Sequence, residues 1–276
     1  MHKKKWTLED MPCQKGKVVV ITGANSGLGF ETAKAFAQKG AEVVLACRSI
    51  EKGISAKDII LKEKPDAKLE VMELNLMSLS SIRIFAEKFK NKYSRLDILI
   101  NNAGIMTSPY ALTEDSFESQ MGTNHLGHFA LTGLLLDLII STPYSRIVTV
   151  SSLAHKQWKM SFDNSLSEPA HDYNKMRAYA RSKLANLLFT YELQRRFEEQ
   201  NINSIAVAAH PGASYTNLGR YLEKKLIARI LKPLIIKVLP SSKAGAMPQI
   251  RAASDPAVKG GEYFGPSGLG ELAGRP

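Results

Sequence analysis

Tyr179 and Lys183, in "YARSK", stand four residues apart within a helical pattern, so both fall on one face about one turn apart. A phenol with an ordinary pKa near ~10 is a poor base at neutral pH, but a neighbouring ammonium favours its phenolate. The pair therefore fits proton exchange with an alcohol or carbonyl oxygen, Tyr179 exchanging the proton and Lys183 tuning it. Far upstream, "TGANSGLG" (22–29) follows the apolar run "KVVVI" and passes straight into "FETAKAFAQKG". Gly23, Gly27 and Gly29 thus sit where a strand hands over to a helix. The unpaired N–H groups of a helix start attract phosphate, and glycine lets the backbone come close to it. The G-x-x-x-G-x-G spacing departs from the usual G-x-G-x-x-G, yet its place between strand and helix points to a dinucleotide. Arg48 then bears on which one. At the end of the second apolar run, "ACRS" puts an arginine where NAD binding would ask for a carboxylate on the ribose. A planar guanidinium can clasp a 2′-phosphate, so NADP(H) is expected and NAD(H) is the less favoured choice.

These groups need elements to hold them. Continuous apolar, β-branched runs at 17–22, 41–47, 68–74, 96–102, 145–152 and 203–210 read as strands. Between them lie helical patterns at 27–40, closed by Gly40, at 51–64, ended by Pro65, and at 79–93. Two longer helices are expected from about Asp115 to Ile140 and from about Tyr173 to Gln200. Strands apolar on both faces and joined by helical crossovers imply an α/β fold. The expectation is a single-domain, Rossmann-type, doubly wound parallel sheet of about seven strands with helices on both faces.

Composition narrows the function further. Cys13 and Cys47 have no CxxC partner, so neither a disulfide framework nor a zinc site is suggested, and a cytoplasmic setting fits. The basic N-terminus has no apolar signal-peptide stretch, and no run is long and apolar enough to span a bilayer, so a soluble protein is expected. The net charge of +11 is concentrated between Gly219 and Lys243, where seven basic residues face one acid among "LIARILKPLIIKVL". A surface helix explains this segment most simply. Contact with an anionic membrane surface stays open, and nucleic acid is not expected, because no recognition motif accompanies the charge.

In order, TGxxxGxG, "NNAG" (101–104), the helix asparagine of "TNHLGHF" (123–129), the "SS" closing "RIVTVSS", YxxxK and the "PG" of "HPGASYT" (210–216) resemble the short-chain dehydrogenases/reductases. The resemblance spans roughly residues 16–265, leaving 1–15 as an N-terminal extension. It implies that Tyr179 is the general acid/base, that Ser152 orients the substrate carbonyl, that Lys183 also bonds the nicotinamide ribose, and that Asn124 kinks its helix around a proton-relay water. It further implies that Gly23, Asn25, Ser26, Gly27, Leu28 and Gly29 hold the pyrophosphate. Asn102, Ala103 and Gly104 would line the adenosine side, Asn75 and Leu76 the adenine, and Pro211, Gly212 and Thr216 the nicotinamide.

Two features depart from the family pattern. Asn75 stands where an aspartate usually meets the adenine amino group; its amide oxygen can still accept. Tyr179 follows Ser152 by 27 positions, about twice the usual gap, so an insertion at about 153–178 is expected to loop over the site, with a lid at about 213–240. Within the family, "TNHLGHFALT" and the closing "GEYFGPSGLGELAGRP" look most like the retinol dehydrogenase and WW-domain oxidoreductase branch. That branch implies an apolar aldehyde or ketone substrate. Neither the WW domains nor the N-terminal membrane anchor of some relatives is expected here. Homo-oligomerisation stays open, as do two rival readings, a non-catalytic NADP-binding redox sensor and a membrane-surface protein using the basic segment.

Other residues invite chemistry less strongly. His125 and His128 lie three apart on one helix, but no third ligand is evident and no metal is expected. Cys47 reads as a small buried strand-end residue. Trp158 and Phe162 could wall the substrate or simply pack the insertion.

Overall fold

The computed structural model describes residues 6–157, 170–212 and 241–276. Apolar runs become strands β1 (Val18–Thr22), β2 (Glu42–Cys47), β3 (Lys68–Glu73), β4 (Ile98–Asn101), β5 (Arg146–Val150) and β6 (Ile205–Ala209). A seventh strand, β7 (Tyr263–Phe264), too short to show a pattern in the sequence, completes one parallel sheet in the order β3-β2-β1-β4-β5-β6-β7. The chain winds outward from β1 to β3, then crosses back to β4 on the other side of β1. A crevice therefore opens at the carboxyl ends of β1 and β4, the position where such sheets bind ligands.

The helices are α1 (Gly27–Gln38), α2 (Ile50–Glu63), α3 (Leu79–Lys92), α4 (Ser119–Met121), α5 (Gly127–Ser141), α6 (Lys175–Glu199) and α7 (Ser242–Ser254). Alternation along the strands divides the core between the two faces of the sheet. Val19, Ile21, Val43 and Leu45 pack with Phe36 of α1, Ile60 of α2 and Ile250 of α7. Val18, Val20, Val44 and Leu99 pack on the other face with Phe85 of α3, Leu135 of α5 and Phe197 of α6. Trp6 and Met11, ahead of β1, are buried in the first cluster.

Two elements differ from the sequence expectation. The helix expected from about Asp115 begins at Ser119, because the Asp115 carboxylate instead accepts from the Leu79 N–H and Glu118 caps the helix through the N–H groups of Gln120 and Met121. Helix α7 was not read, and Pro248 inside it explains why, since proline ordinarily marks a helix end. Buried Asp97 ties the starts of β1 and β4, accepting from the Val18 N–H and from both donor arms of Arg95. Among the described residues, no helix is long and apolar enough to cross a membrane.

Candidate active site

Helix α1 starts differently from its neighbours. Ser49, Ser78 and Ser241 cap α2, α3 and α7 by accepting a first-turn N–H, whereas Ser26 makes no side-chain capping bond at α1. The first-turn amides of α1 thus face the crevice with no acceptor from the cap, the condition for gripping an anion. Close packing shapes the turn before them. A Cβ at Gly29 would lie 2.4 Å from the Gly23 carbonyl oxygen and 2.6 Å from Asn102 Nδ2, so only glycine fits.

A cavity of about 530 Å³ opens here, within the range of small-molecule sites. It gathers the predicted Gly23, Asn25, Ser26, Gly27, Leu28 and Gly29 with Arg48, Asn75, Leu76, Asn102, Ala103 and Gly104. Lys52, not singled out from the sequence, also lines it. Loop and strand are fixed by side chains as well as backbone: Asn102 Nδ2 donates to the Thr22 carbonyl at 2.8 Å, and Gln249 of α7 donates to Asn102 Oδ1 at 3.2 Å. Asn75 is less free than expected, for its Oδ1 already accepts from the Met77 N–H and its Nδ2 donates to Glu114. Cys47 is buried, and burial pushes its thiol up to about 11, consistent with an inert strand-end residue.

Tyr179 and Lys183 enter from α6, both buried. The two serines after β5 divide their tasks. Ser151 Oγ donates to the Lys183 carbonyl at 2.7 Å, while Ser152 remains half-buried, its Oγ accepting from the Ala154 N–H and its hydroxyl favouring the ionised form of the Tyr179 phenol. Lys183 Nζ donates to the Val150 carbonyl at 2.9 Å and lies 5.8 Å from the centre of the Tyr179 ring.

The expected tuning takes another form. Burial raises the Tyr179 phenol above its ordinary value and the Ser152 hydrogen bond only partly offsets this, while burial also draws Lys183 down to about 8. Desolvation opposes charge on both groups, and it outweighs the attraction that spacing alone suggested.

The helix asparagine sits in a π-helical segment, Gly122–Leu126, between α4 and α5, where the Gly127 N–H reaches back five residues to the Gly122 carbonyl. Such wide turns concentrate at functional sites. Asn124 is wholly buried, its side chain exchanging hydrogen bonds with both the N–H and the carbonyl of Ile105 and donating to Ser182. The cavity and the Tyr179 side meet at Gly104: a Cβ there would lie 3.0 Å from Asn124 Oδ1 and 3.6 Å from Lys183 Nζ.

His125 and His128 point to different partners. His125 reaches Asn186 Oδ1, and His128 reaches Thr22 and the Asn124 carbonyl. Pro211 and Gly212 follow β6, where the C-terminal segment presses close: a Cβ at Gly212, which has φ of 69°, would meet the Leu272 carbonyl at 2.4 Å. Thr216, Trp158, Phe162, the predicted lid at 213–240 and most of the basic segment lie outside the described residues. Sequence reasoning missed Gln249 and the Thr22–His128 contact, because neither partner signals a long-range hydrogen bond.

A family model described as short chain dehydrogenase matches residues 17–226. Retinol dehydrogenase 14 from Homo sapiens is 44% identical over 266 residues, covering 91% of this chain and 78% of that protein. The WW domain-containing oxidoreductase of Homo sapiens is 42% identical over 260 residues, covering 90% of this chain and 61% of that protein. Among solved structures, an uncharacterized protein from Mycobacterium paratuberculosis is similar with a TM-score of 0.78 and 42% identity, covering 99% of this chain and 88% of that one. A short chain dehydrogenase from Shigella flexneri, complexed with NADP, shares the fold with a TM-score of 0.71 at 21% identity, covering 92% of this chain and 98% of that one.

Proposed function

The chain belongs to the short chain dehydrogenase family, and on that premise we propose that it is an NADP(H)-dependent oxidoreductase acting on an apolar aldehyde or ketone and the matching alcohol. The observation that carries this reading is the meeting at Gly104 of the glycine-lined cavity with the buried Tyr179, Lys183 and Asn124 group. The cavity suits a dinucleotide on three counts: uncapped amides at α1, a turn that excludes a Cβ, and Arg48 and Lys52 on its rim for a 2′-phosphate. When bound, the dinucleotide supplies or takes up the hydride at its nicotinamide ring.

The remaining work falls to this chain's side chains. Tyr179, protonated at neutral pH as any phenol is and more firmly so through burial, would give its proton to the substrate oxygen in the reductive direction. Ser152, whose Oγ accepts from the Ala154 N–H, keeps its single hydroxyl hydrogen to donate to the substrate's carbonyl oxygen. Lys183, drawn down to about 8, can pass a proton near neutral pH more readily than an ordinary lysine. Retinol dehydrogenases among the relatives support an extended apolar substrate.

The test is a panel of apolar and polar aldehydes, retinal included, followed by loss of NADPH absorbance and repeated with NADH, with Tyr179→Phe as the blank. Reduction of apolar members with NADPH preferred is the expected result. Tight NADPH binding with no turnover of any member would favour a redox sensor instead.

A further inference from the structure

His128 is buried, titratable and unused by the chemistry above. Its ring stands between β1 and the π segment, beside the Asn102–Ala103 loop, and is hydrogen-bonded to both elements. Nδ1 lies 3.0 Å from the Asn124 carbonyl oxygen, and Nε2 lies 2.8 Å from Thr22 Oγ1. Thr22 Oγ1 in turn receives the Asn102 N–H and the Ala103 N–H, each at 2.9 Å.

Donor and acceptor accounting fixes every proton. A carbonyl oxygen only accepts, so Nδ1 must carry the hydrogen. Thr22 spends both oxygen lone pairs on the two loop amides, leaving its single hydrogen to donate. Of the two acceptors in reach, Nε2 at 2.8 Å is nearer than the Ile100 carbonyl at 3.4 Å, and an imidazole nitrogen is the more basic. The ring is therefore neutral, with Nδ1–H donating and Nε2 accepting. Burial supports this by holding the imidazolium down at about 3.

We propose that His128 is a positioning residue for the reaction: it clamps the adenosine-side loop, through Thr22, to the backbone of Asn124 in the π segment. The clamp sets the register between the dinucleotide and the Tyr179 side. It rests on the dinucleotide reading given above and adds a join between the two halves through β1, beside the one that Asn124 makes to Ile105. A valine at Thr22 would take the acceptor from the half-buried Ala103 N–H, while the Asn102 N–H keeps the Ile100 carbonyl at 3.0 Å, and a ring without the Nδ1 hydrogen would set a lone pair against the Asn124 carbonyl; the first loss falls on the loop and the second on the π segment.

Two amides separate the arms of the clamp, because an asparagine amide extends about as far as Nδ1 and a glutamine amide about as far as Nε2. Full-length His128→Asn, His128→Gln, Thr22→Val and Thr22→Ser are compared for NADPH dissociation constant, kcat with the best aldehyde of the panel, and Tm. Thr22→Val and His128→Asn are expected to weaken NADPH binding about tenfold each, and their double variant no more than about tenfold, because each breaks the same link. Thr22→Ser is expected to restore binding to within about twofold. His128→Gln keeps the Thr22 arm, and should lower kcat about tenfold with NADPH binding within about threefold of the parent.

An about hundredfold loss in the double variant would overturn the clamp, as would a loss of Tm with binding and kcat both unchanged. Where a His128 variant fails to fold, Thr22→Val against Thr22→Ser carries the comparison, and equal binding in those two overturns it. Failure of the parent protein to bind NADPH would remove the dinucleotide reading and the clamp together, whereas normal binding with no such split would remove the clamp alone.

Discussion

The glycine turn before α1 and the Tyr179 side of α6 adjoin at Gly104 but hold their polar groups by opposite means. At the turn the groups are backbone amides, and what shapes the site is the missing Cβ of Gly29 against the Gly23 carbonyl. On the Tyr179 side the groups are side chains, each held by a named partner: buried Lys183 by the Val150 carbonyl, buried Asn124 by Ile105, and half-buried Ser152 by the Ala154 amide. The turn should therefore respond to volume and hardly to charge. The Tyr179 side should respond to which atom donates, and to pH, with little regard to volume.

Three changes separate the two behaviours. Tyr179→Phe alters volume by one oxygen only, yet it should lower kcat about a thousandfold while the NADPH dissociation constant, read by fluorescence titration, stays within about twofold. A large loss of binding instead would move Tyr179 from proton transfer to cofactor recognition.

Gly29→Ala adds one uncharged methyl and should do the reverse. NADPH binding is expected to weaken on the order of tenfold to a hundredfold, with kcat at saturating NADPH nearly kept. Unchanged binding would mean that the turn shifts freely, and the contrast between the regions would collapse.

The smallest effect is on stability in acid. His128 is held at about 3 in the folded chain against an ordinary 6.5, so between those values the unfolded chain holds a proton that the folded chain lacks. Its contribution is complete above pH 6.5 and is lost as pH falls from there towards 3. His210, held at about 4, acts in the same direction. Denaturant midpoints across this window should flatten in His128→Asn by the share of about one proton. An unaltered slope would show that the ring takes up its proton without unfolding cost.

Much of this was legible before the fold. Residues 17–22, 41–47 and 96–102 announced strands because both faces of a central parallel sheet are covered, so their sequence carries no polar alternation to blur the pattern. The glycine turn, Arg48 and the Tyr179–Lys183 pair were legible because each depends on neighbours close in sequence. Strand β7 and helix α7 were not. The first is two residues long and exists through pairing with β6, and the second carries Pro248 in its interior.

The direction of the Tyr179 shift was also hidden, and for a deeper reason. Spacing tells which charge stands near a phenol, whereas burial depends on everything packed around it, and here burial is the larger effect.

What the sequence by itself determined is the family, the winding of the sheet and the identity of the groups that meet at the crevice, since periodicity and short motifs are local properties of the chain. Only the tertiary structure decided how those groups are held. Thr22 and His128 are 106 positions apart, and a hydrogen bond across that distance exists only once β1, β4 and the π segment have been folded against one another.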